Sequence, residues 1–444
     1  MMHERPFGLR EKELDPGKQK VDIVLFSPPV WSPVMPFLAI PTLMGYLRAK
    51  GIKAIQFDLS IDFFIDHLLT PLNLEKAMET IRRRGYGEGL PQNLQRLSED
   101  LLRSGEKYKD IPQRVEDAKG VLRDKEYFFD IKRMLEAQSY LYRALEILSL
   151  SQYPIIFTFN TFSHREVRDF PSLFQFITKG ENLFSSFYQT YVFELLKRYS
   201  PKLIGISIST SHQMIPGLTL ATMLKNHFQD VTIVIGGRQV DRLLDTFVTF
   251  TEYSKKFCDI LVYGDGELAL EGLWECLKGT TNQSKIPNIV WFQEDTVVRS
   301  DKFQYIPITQ KPSPCFFGIP FHKYLSPYPL IPVRFSEGCY WGKCSFCSRY
   351  DNRRFQTLSV DRAVKLLKSL SEELNTQFFM INDDCLTPKY LEALARGILE
   401  GGMEINLSLW AKPVSGFTRE RLELLSKAGV RLIRWGIETG NERI

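Results

Sequence analysis

The chain lacks any long apolar run. Of its 444 residues, no stretch approaches the roughly 20 consecutive apolar residues that a membrane-spanning helix needs, so no membrane association is expected. Residues 1–20 mix charge with Pro and Gly and have no apolar core of the kind a secretory leader carries; they are expected to form a flexible tail. Dense Lys/Arg blocks are also missing. The net charge of +5 is small for this length and does not suggest a nucleic-acid partner. Neither GxGxxG nor GxxxxGK[ST] occurs, which removes the usual grounds for a dinucleotide or ATP site. Seven cysteines, an odd number and mostly clustered, argue against a disulfide framework. What remains is a cytoplasmic protein of two or three domains with ordinary hydrophobic content.

The first half alternates strands and helices, which implies an α/β fold built on a doubly wound parallel sheet. Val21–Phe26 is a β-branched-rich run closed by Ser27-Pro28-Pro29. Ile40–Lys50 has helical spacing and stops at Gly51, and Ala54–Asp58 reads as the next strand. From about 61 to 200 the pattern is mostly helical, at Leu74–Arg84, Leu94–Leu102, Glu126–Leu150 and Phe184–Tyr199, with one strand at Pro154–Asn160. This is an insertion, either covering an edge of the sheet or closing over a substrate. Strands resume at Leu203–Thr210, Val231–Ile235 and Ile260–Tyr263, with helices at Ile215–Asn226 and Leu268–Leu277 between and after them. In open parallel sheets, ligands bind beyond the carboxyl ends of the strands. Small residues gather at those ends here: Ser207, Ser209 and Thr210, then Gly236 and Gly237, then Gly264 and Gly266. Such glycines either make tight turns or let a flat ligand approach the backbone, and three such loops on one rim favour a cofactor cleft.

A second kind of feature begins after the strand-like run Leu330–Phe335. Cys339, Cys344 and Cys347 fall within nine residues. Three thiolates on one loop can hold a metal ion or an iron–sulfur cluster. Zinc prefers four ligands, and no fourth ligand lies nearby in sequence, since His322 precedes the strand. Downstream, helix Val360–Leu374 with Ser359 as N-cap, strand Phe378–Ile381, helix Pro388–Leu399, strand Ile405–Trp410, helix Thr418–Lys427 and strand Leu432–Ile437 repeat a βα unit. Polar residues stand at the strand ends: Asn382-Asp383-Asp384, Lys412, and Glu438 after Gly436. This pattern describes the first part of a TIM-type barrel with its site on the carboxyl face. Cys258, Cys276 and Cys315 are scattered and read as structural.

These pieces together resemble the cobalamin-binding subclass of radical S-adenosylmethionine (SAM) enzymes. The resemblance is carried by strand-Ser-Pro-Pro, Pro41–Gly51, Gly205–Ser209, Ile235-Gly236-Gly237, Tyr263-Gly264-Asp265-Gly266-Glu267, Ile286–Trp291 and the cysteine triplet. The triplet departs from the family's CxxxCxxC by one extra residue between Cys339 and Cys344. The resemblance implies domains at 21–290 (Rossmann-like, cobalamin-binding), 291–329 (linker) and 330–444 (partial radical SAM barrel). It implies a 4Fe-4S cluster on Cys339, Cys344 and Cys347, its fourth iron open to SAM, and adenine packed beside Phe346. Asp383 and Asp384 would meet the SAM amino group, Lys412 its carboxylate, and Gly436 and Glu438 its ribose. Ser207, Ser209, Thr210, Gly236, Gly237, Gly264 and Gly266 would line cobalamin. His212 is the histidine near that rim, and it reads as an ordinary surface residue rather than a cobalt ligand.

The activity implied is reductive cleavage of SAM and methylation of an unactivated carbon in a small-molecule or peptide substrate, with a flavodoxin-type or reductase electron donor. Two alternatives are a non-methylating radical rearrangement and an inactive cofactor- or partner-binding protein. The family's partial barrel has more strands than appear before Ile444, so the expectation is that further sequence or a second polypeptide completes it.

Overall fold

A computed structural model describes residues 20–84, 90–103, 108–293, 296–301, 303–347 and 355–441; the expected tail, apart from Lys20, lies outside them. The chain divides into two compact units. One comprises Leu9–Tyr305 and Pro314–Pro327; the other contains Ile306–Ser313 and Tyr328–Ile444. The stretch expected to be a linker, 291–329, is divided between them segment by segment.

The first unit begins with β1 (Ile23–Ser27) and β2 (Ala54–Asp58), joined by a helix over Ala39–Ala49. Every residue of β1 is buried, as a strand covered on both faces requires. A short hairpin, β3 (Ile155–Phe157) and β4 (Phe162–His164), lies within the insertion and forms a separate two-stranded sheet. The main sheet continues with β5 (Leu203–Ser207), β6 (Thr232–Gly236), β7 (Ile260–Val262), β8 (Ile289–Phe292) and β9 (Val297–Arg299), in the order β2-β1-β5-β6-β7-β8-β9. The first five are parallel, as expected; β8 and β9 turn back antiparallel.

Alternate residues of β1 divide the core. Val24 and Phe26 join a cluster that runs on through the insertion to Leu74, Val115 and Leu145. Ile23 and Leu25 face a second cluster with Met44, Leu47, Leu270 and Leu273. The insertion thus covers one face of the sheet together with later helices, among them Met214–His227. Its helices include Pro71–Arg84, Ile111–Arg123 and Ile131–Ser151. The helix expected over Phe184–Tyr199 is broken by a π-helical turn at Tyr188–Val192, and a second π turn spans Phe63–Leu68.

These irregular turns serve a polar purpose. Tyr191 donates to Asp62 at 3.0 Å, and Lys323 reaches Asp62 at 2.5 Å and Asp66 at 2.6 Å. Beside them, at the carboxyl end of β2, Asp58 accepts from the Tyr324 hydroxyl at 2.6 Å. Gln56 donates to the carbonyls of Cys315 and Phe317, both at 2.8 Å. Arg123 donates to the Lys323 carbonyl at 2.6 Å. Asp58, Asp62 and Gln56 are almost fully buried, so segment 314–327 supplies partners that these groups need.

In the second unit, β10 (Leu330–Val333) leads to the cysteine loop, which is pinned at its base by the two-residue pair β11 (Ser336–Glu337) and β12 (Gln356–Thr357). Three βα repeats follow: helix Val360–Leu374, β13 (Phe378–Ile381), helix Pro388–Glu400, β14 (Asn406–Ala411), helix Arg419–Lys427 and β15 (Val430–Trp435). The helices start on Ser359, Thr387 and Thr418, whose hydroxyls accept from backbone N–H groups in the first turn. The sheet is wholly parallel, in the order β10-β13-β14-β15. β15 starts two residues earlier than its apolar run suggests, and Trp435 is its last residue.

Candidate functional site

The carboxyl ends of β10, β13, β14 and β15 carry, in order, 334–339, 382–385, Lys412 and 436–438. All the polar residues expected at these ends are brought to one rim, but they do different work there.

Asp383 is buried. One carboxylate oxygen accepts from the Ser336 N–H at 2.5 Å, the Ser336 hydroxyl at 2.7 Å and the Phe335 N–H at 3.2 Å, and the other from the Phe335 N–H at 3.0 Å. Its carboxyl is held above the usual range, chiefly because burial penalises the charge, while these donors pull the other way. The expectation that it meets a SAM amino group is corrected: the carboxylate faces inward and grips the backbone three residues ahead of Cys339. Asp384 is the carboxylate left on the exposed side, with Arg334 at 3.6 Å. Glu337 is buried next to the loop, paired with Lys311 at 3.1 Å and accepting from Ile308 N–H at 3.2 Å. The base of the loop is therefore clamped twice.

Beyond Gly338 the loop opens. Cys339 is half-buried, and Cys344 and Cys347 are exposed. A turn bond runs from Cys347 N–H to the Cys344 carbonyl at 3.1 Å. Among the described residues, no three His, Cys, Asp or Glu side chains converge where a metal ion could be held. The expected ligand set is thus present in type and accessibility but not preassembled. Were a metal centre to bind, sulfurs on so open a loop would be gathered by bonds to it rather than by the chain's own packing. Phe346, at 67% exposure, stands free of the core.

Lys412 does not point into open solvent. Its Nζ lies 3.4 Å from the centroid of the Trp341 ring, so a residue of the cysteine loop caps it. Gly436 bonds through its N–H to Ala411 O at 3.1 Å, and Glu438 turns back over it with a positive φ of 62°. Sequence reasoning missed Trp341 as a contact of Lys412, and missed Cys385. That buried thiol follows Asp384 and is hydrogen-bonded by Tyr340; burial, with this bond, holds the Tyr340 hydroxyl up at about 12. Its position directly after two strand-end aspartates was the available signal.

In the first unit the expected rim also assembles. Gln213, fully buried, accepts from Ser209 N–H at 3.0 Å and Thr210 N–H at 3.3 Å, and donates to Pro28 O at 3.0 Å, so it ties the β1 and β5 ends together. Ser207 and Ser209 hydroxyls lie 3.4 Å apart. His212 is half-buried, with its Nδ1 3.0 Å from Phe162 O.

The glycines are used by the chain itself. A Cβ on Gly237 would meet the Ile208 carbonyl oxygen at 2.5 Å, and one on Gly264 would meet the Phe303 ring at 2.5 Å. Gly236 lies against Val262, and Gly266 against Leu43. Tight packing therefore accounts for these positions. The observation that favours a ligand is polar instead: Ser27 Oγ and Gln239 Oε1, at the ends of β1 and β6, are buried without a hydrogen-bond partner among the described residues.

Gly237 has φ 106° and backbone atoms on its open side, so Gly237→Ala is expected to cost about 2–3 kcal/mol. A shift in the urea midpoint measures this, and an unchanged midpoint would show that the turn relaxes freely.

Residues 333–444 match the Radical SAM superfamily. No curated protein matches the chain. Among solved structures, the cobalamin-dependent S-adenosylmethionine radical enzyme OxsB with aqua-cobalamin bound aligns at 15% identity with a TM-score of 0.53, covering 96% of this chain and 45% of OxsB. The radical S-adenosylmethionine methyltransferase TsrM from Kitasatospora setae, with tryptophan substrate and a SAM analogue, aligns at 14% identity with a TM-score of 0.51, covering 95% of this chain and 60% of TsrM. At these identities the likeness is one of fold, and the chain spans less than two thirds of either protein.

Proposed function

We propose that the chain is a cobalamin-dependent radical SAM protein. Its parallel βα unit presents Cys339, Cys344 and Cys347 at the end of β10 to three irons of a 4Fe-4S cluster. The observation that carries the reading is this cysteine loop, clamped at its base by Asp383 and leaving the first strand of a segment that matches the Radical SAM superfamily. With three protein ligands, the cluster leaves one iron for SAM and supplies the electron that cleaves it.

The remaining residues bind and orient. Asp384 and Glu438 are the acidic groups on the exposed rim, suited to the amino and ribose groups of SAM, and Phe346 offers an exposed ring to adenine. Lys412 can turn from Trp341 to a carboxylate. Ser27, Ser207, Ser209, Thr210 and Gln239 are the polar groups of the first unit suited to the amide periphery of cobalamin. Methylation of an unactivated carbon in a small-molecule or peptide substrate is the reaction that both cofactors serve together, with a flavodoxin-type or reductase donor supplying electrons.

Anaerobic reconstitution with iron and sulfide tests this. Expected are an iron–sulfur charge-transfer band, a retained corrin band, and both 5′-deoxyadenosine and S-adenosylhomocysteine from SAM. Absence of the first band would overturn the cluster, and absence of the second the cobalamin site. 5′-Deoxyadenosine without S-adenosylhomocysteine would point to rearrangement instead of methylation.

A further inference from the structure

The β10-β13-β14-β15 sheet has one face against its helices and one turned away. Leu407, Leu409 and Ala411 are buried on the helical face, so the alternate residues Ser408 and Trp410 lie on the other. Parallel register sets Leu432 beside Ser408 and Arg434 beside Trp410. The Trp410 side chain is 45% exposed, and the Arg434 guanidinium lies 5.4 Å from its ring centroid. Nη1 of Arg434 is buried and has no hydrogen-bond partner among the described residues.

A guanidinium N–H can only donate, since the group has five donors and no acceptor. It calls for an acceptor. Two acids of the same rim are engaged elsewhere, Asp383 on Phe335 and Ser336 and Asp384 on Arg334, while Glu438 turns back over Gly436. The neighbouring cation, Lys412, sits over Trp341. Arg434 thus offers an N–H beside an exposed aromatic plate, on the face where the strand-end residues gather.

We propose that Arg434 is the receptor for a carboxylate of a bound reactant, held through the fork of its guanidinium while Trp410 supports the flat part of the molecule. The inference rests on the radical SAM reading for the identity of that reactant, since the carboxylate belongs either to SAM or to its co-substrate.

The test uses the full chain, reconstituted anaerobically, with Arg434→Met and Arg434→Lys. Far-UV circular dichroism and the thermal midpoint establish folding, and the lysine variant serves if the methionine variant fails. Titration calorimetry compares S-adenosylhomocysteine with 5′-methylthioadenosine, which lacks the amino-acid end. Tryptophan fluorescence follows benzoate, with benzamide as the uncharged control.

If SAM supplies the carboxylate, S-adenosylhomocysteine binds at least ten-fold more weakly to Arg434→Met, Arg434→Lys recovers part of the loss, and 5′-methylthioadenosine is unaffected. If the co-substrate supplies it, the adenosyl ligands are unaffected, and a benzoate-specific response of the wild-type chain disappears in the methionine variant. That second pattern in a chain that binds no adenosyl ligand would remove the SAM reading and leave the Arg434 site standing. No dependence of any of these ligands on residue 434 overturns the proposal.

Discussion

Replacing Asp383 with alanine is expected to lower stability by about 4 kcal/mol and to leave the reconstituted chain with little of its iron. The carboxylate takes two backbone N–H groups and one hydroxyl, all from Phe335 and Ser336, which are themselves buried. Each buried donor stranded without an acceptor costs about 1–3 kcal/mol, and the charged acceptor makes the upper part of that range the better guide. No nearby group can replace it within the same backbone turn, because Glu337 is committed to Lys311 and Ile308. Loss of the clamp also frees the chain ahead of Cys339, so the loop begins from a wider range of conformations when it must gather three sulfurs. Asp383→Asn keeps one acceptor but turns an amide NH2 toward donors, and an intermediate loss is expected. Urea midpoints and iron per chain are the measurements. An alanine variant with an unchanged midpoint and full iron content would refute the role assigned to this carboxylate.

The second large effect concerns pH. Burial lifts the Asp58 carboxyl to about 6; donation from Tyr324 opposes the rise and the Asp62 charge adds to it. Unfolded, the group titrates near about 3.9. Between these values the folded chain keeps a proton that the unfolded chain has released. The stabilising contribution is therefore fully present below the unfolded value and is lost as pH rises through about 6. Two pKa units correspond to about 3 kcal/mol. Asp62 is shifted in the same direction, again by burial first, and steepens the trend. In Asp58→Asn the amide oxygen still accepts from Tyr324 but nothing titrates. Relative to wild type, this variant should gain about 3 kcal/mol in going from about pH 4 to about pH 7.5, as measured by urea unfolding at the two values. A difference that stays constant with pH would mean that Asp58 is not buried in the way described.

Much of this was readable before any coordinates. The helix over Val360–Leu374 and the strands at Ala54–Asp58 and Phe378–Ile381 have the expected limits, because apolar spacing and a capping serine, or a run bounded by polar ends, leave few alternatives. The rim residues were legible for the same reason, since strand ends are where polar residues interrupt apolar runs. What failed was anything decided by partners distant in sequence. Asp383 looks like a ligand group until Phe335 and Ser336 are found donating to it from 48 and 47 residues away. Glycines at strand ends look like space for a flat ligand until Ile208 and Phe303 are found against them. The helix over Phe184–Tyr199 carries no breaker residue; its π turn is set by tertiary packing around Tyr188 and Tyr191, among them the bond from Tyr191 to Asp62. Antiparallel β8 and β9 are short, and β9 buries none of its residues, so alternation gives them little signature.

The bonds from Asp58, Asp62 and Gln56 to residues 315–324 also govern the order in which the chain can become itself. When β2 leaves the ribosome, the partners that 315–324 brings to these buried groups are still more than 250 residues from synthesis. Until they arrive, the carboxyl end of β2 is a pocket of unpaired acids and an unpaired amide, so the first unit is expected to close late and slowly. The same geometry tells an experimenter where to cut. A fragment ending at residue 290, the domain boundary expected from sequence, would carry this defect permanently. One extended to Pro327 would carry its own plug.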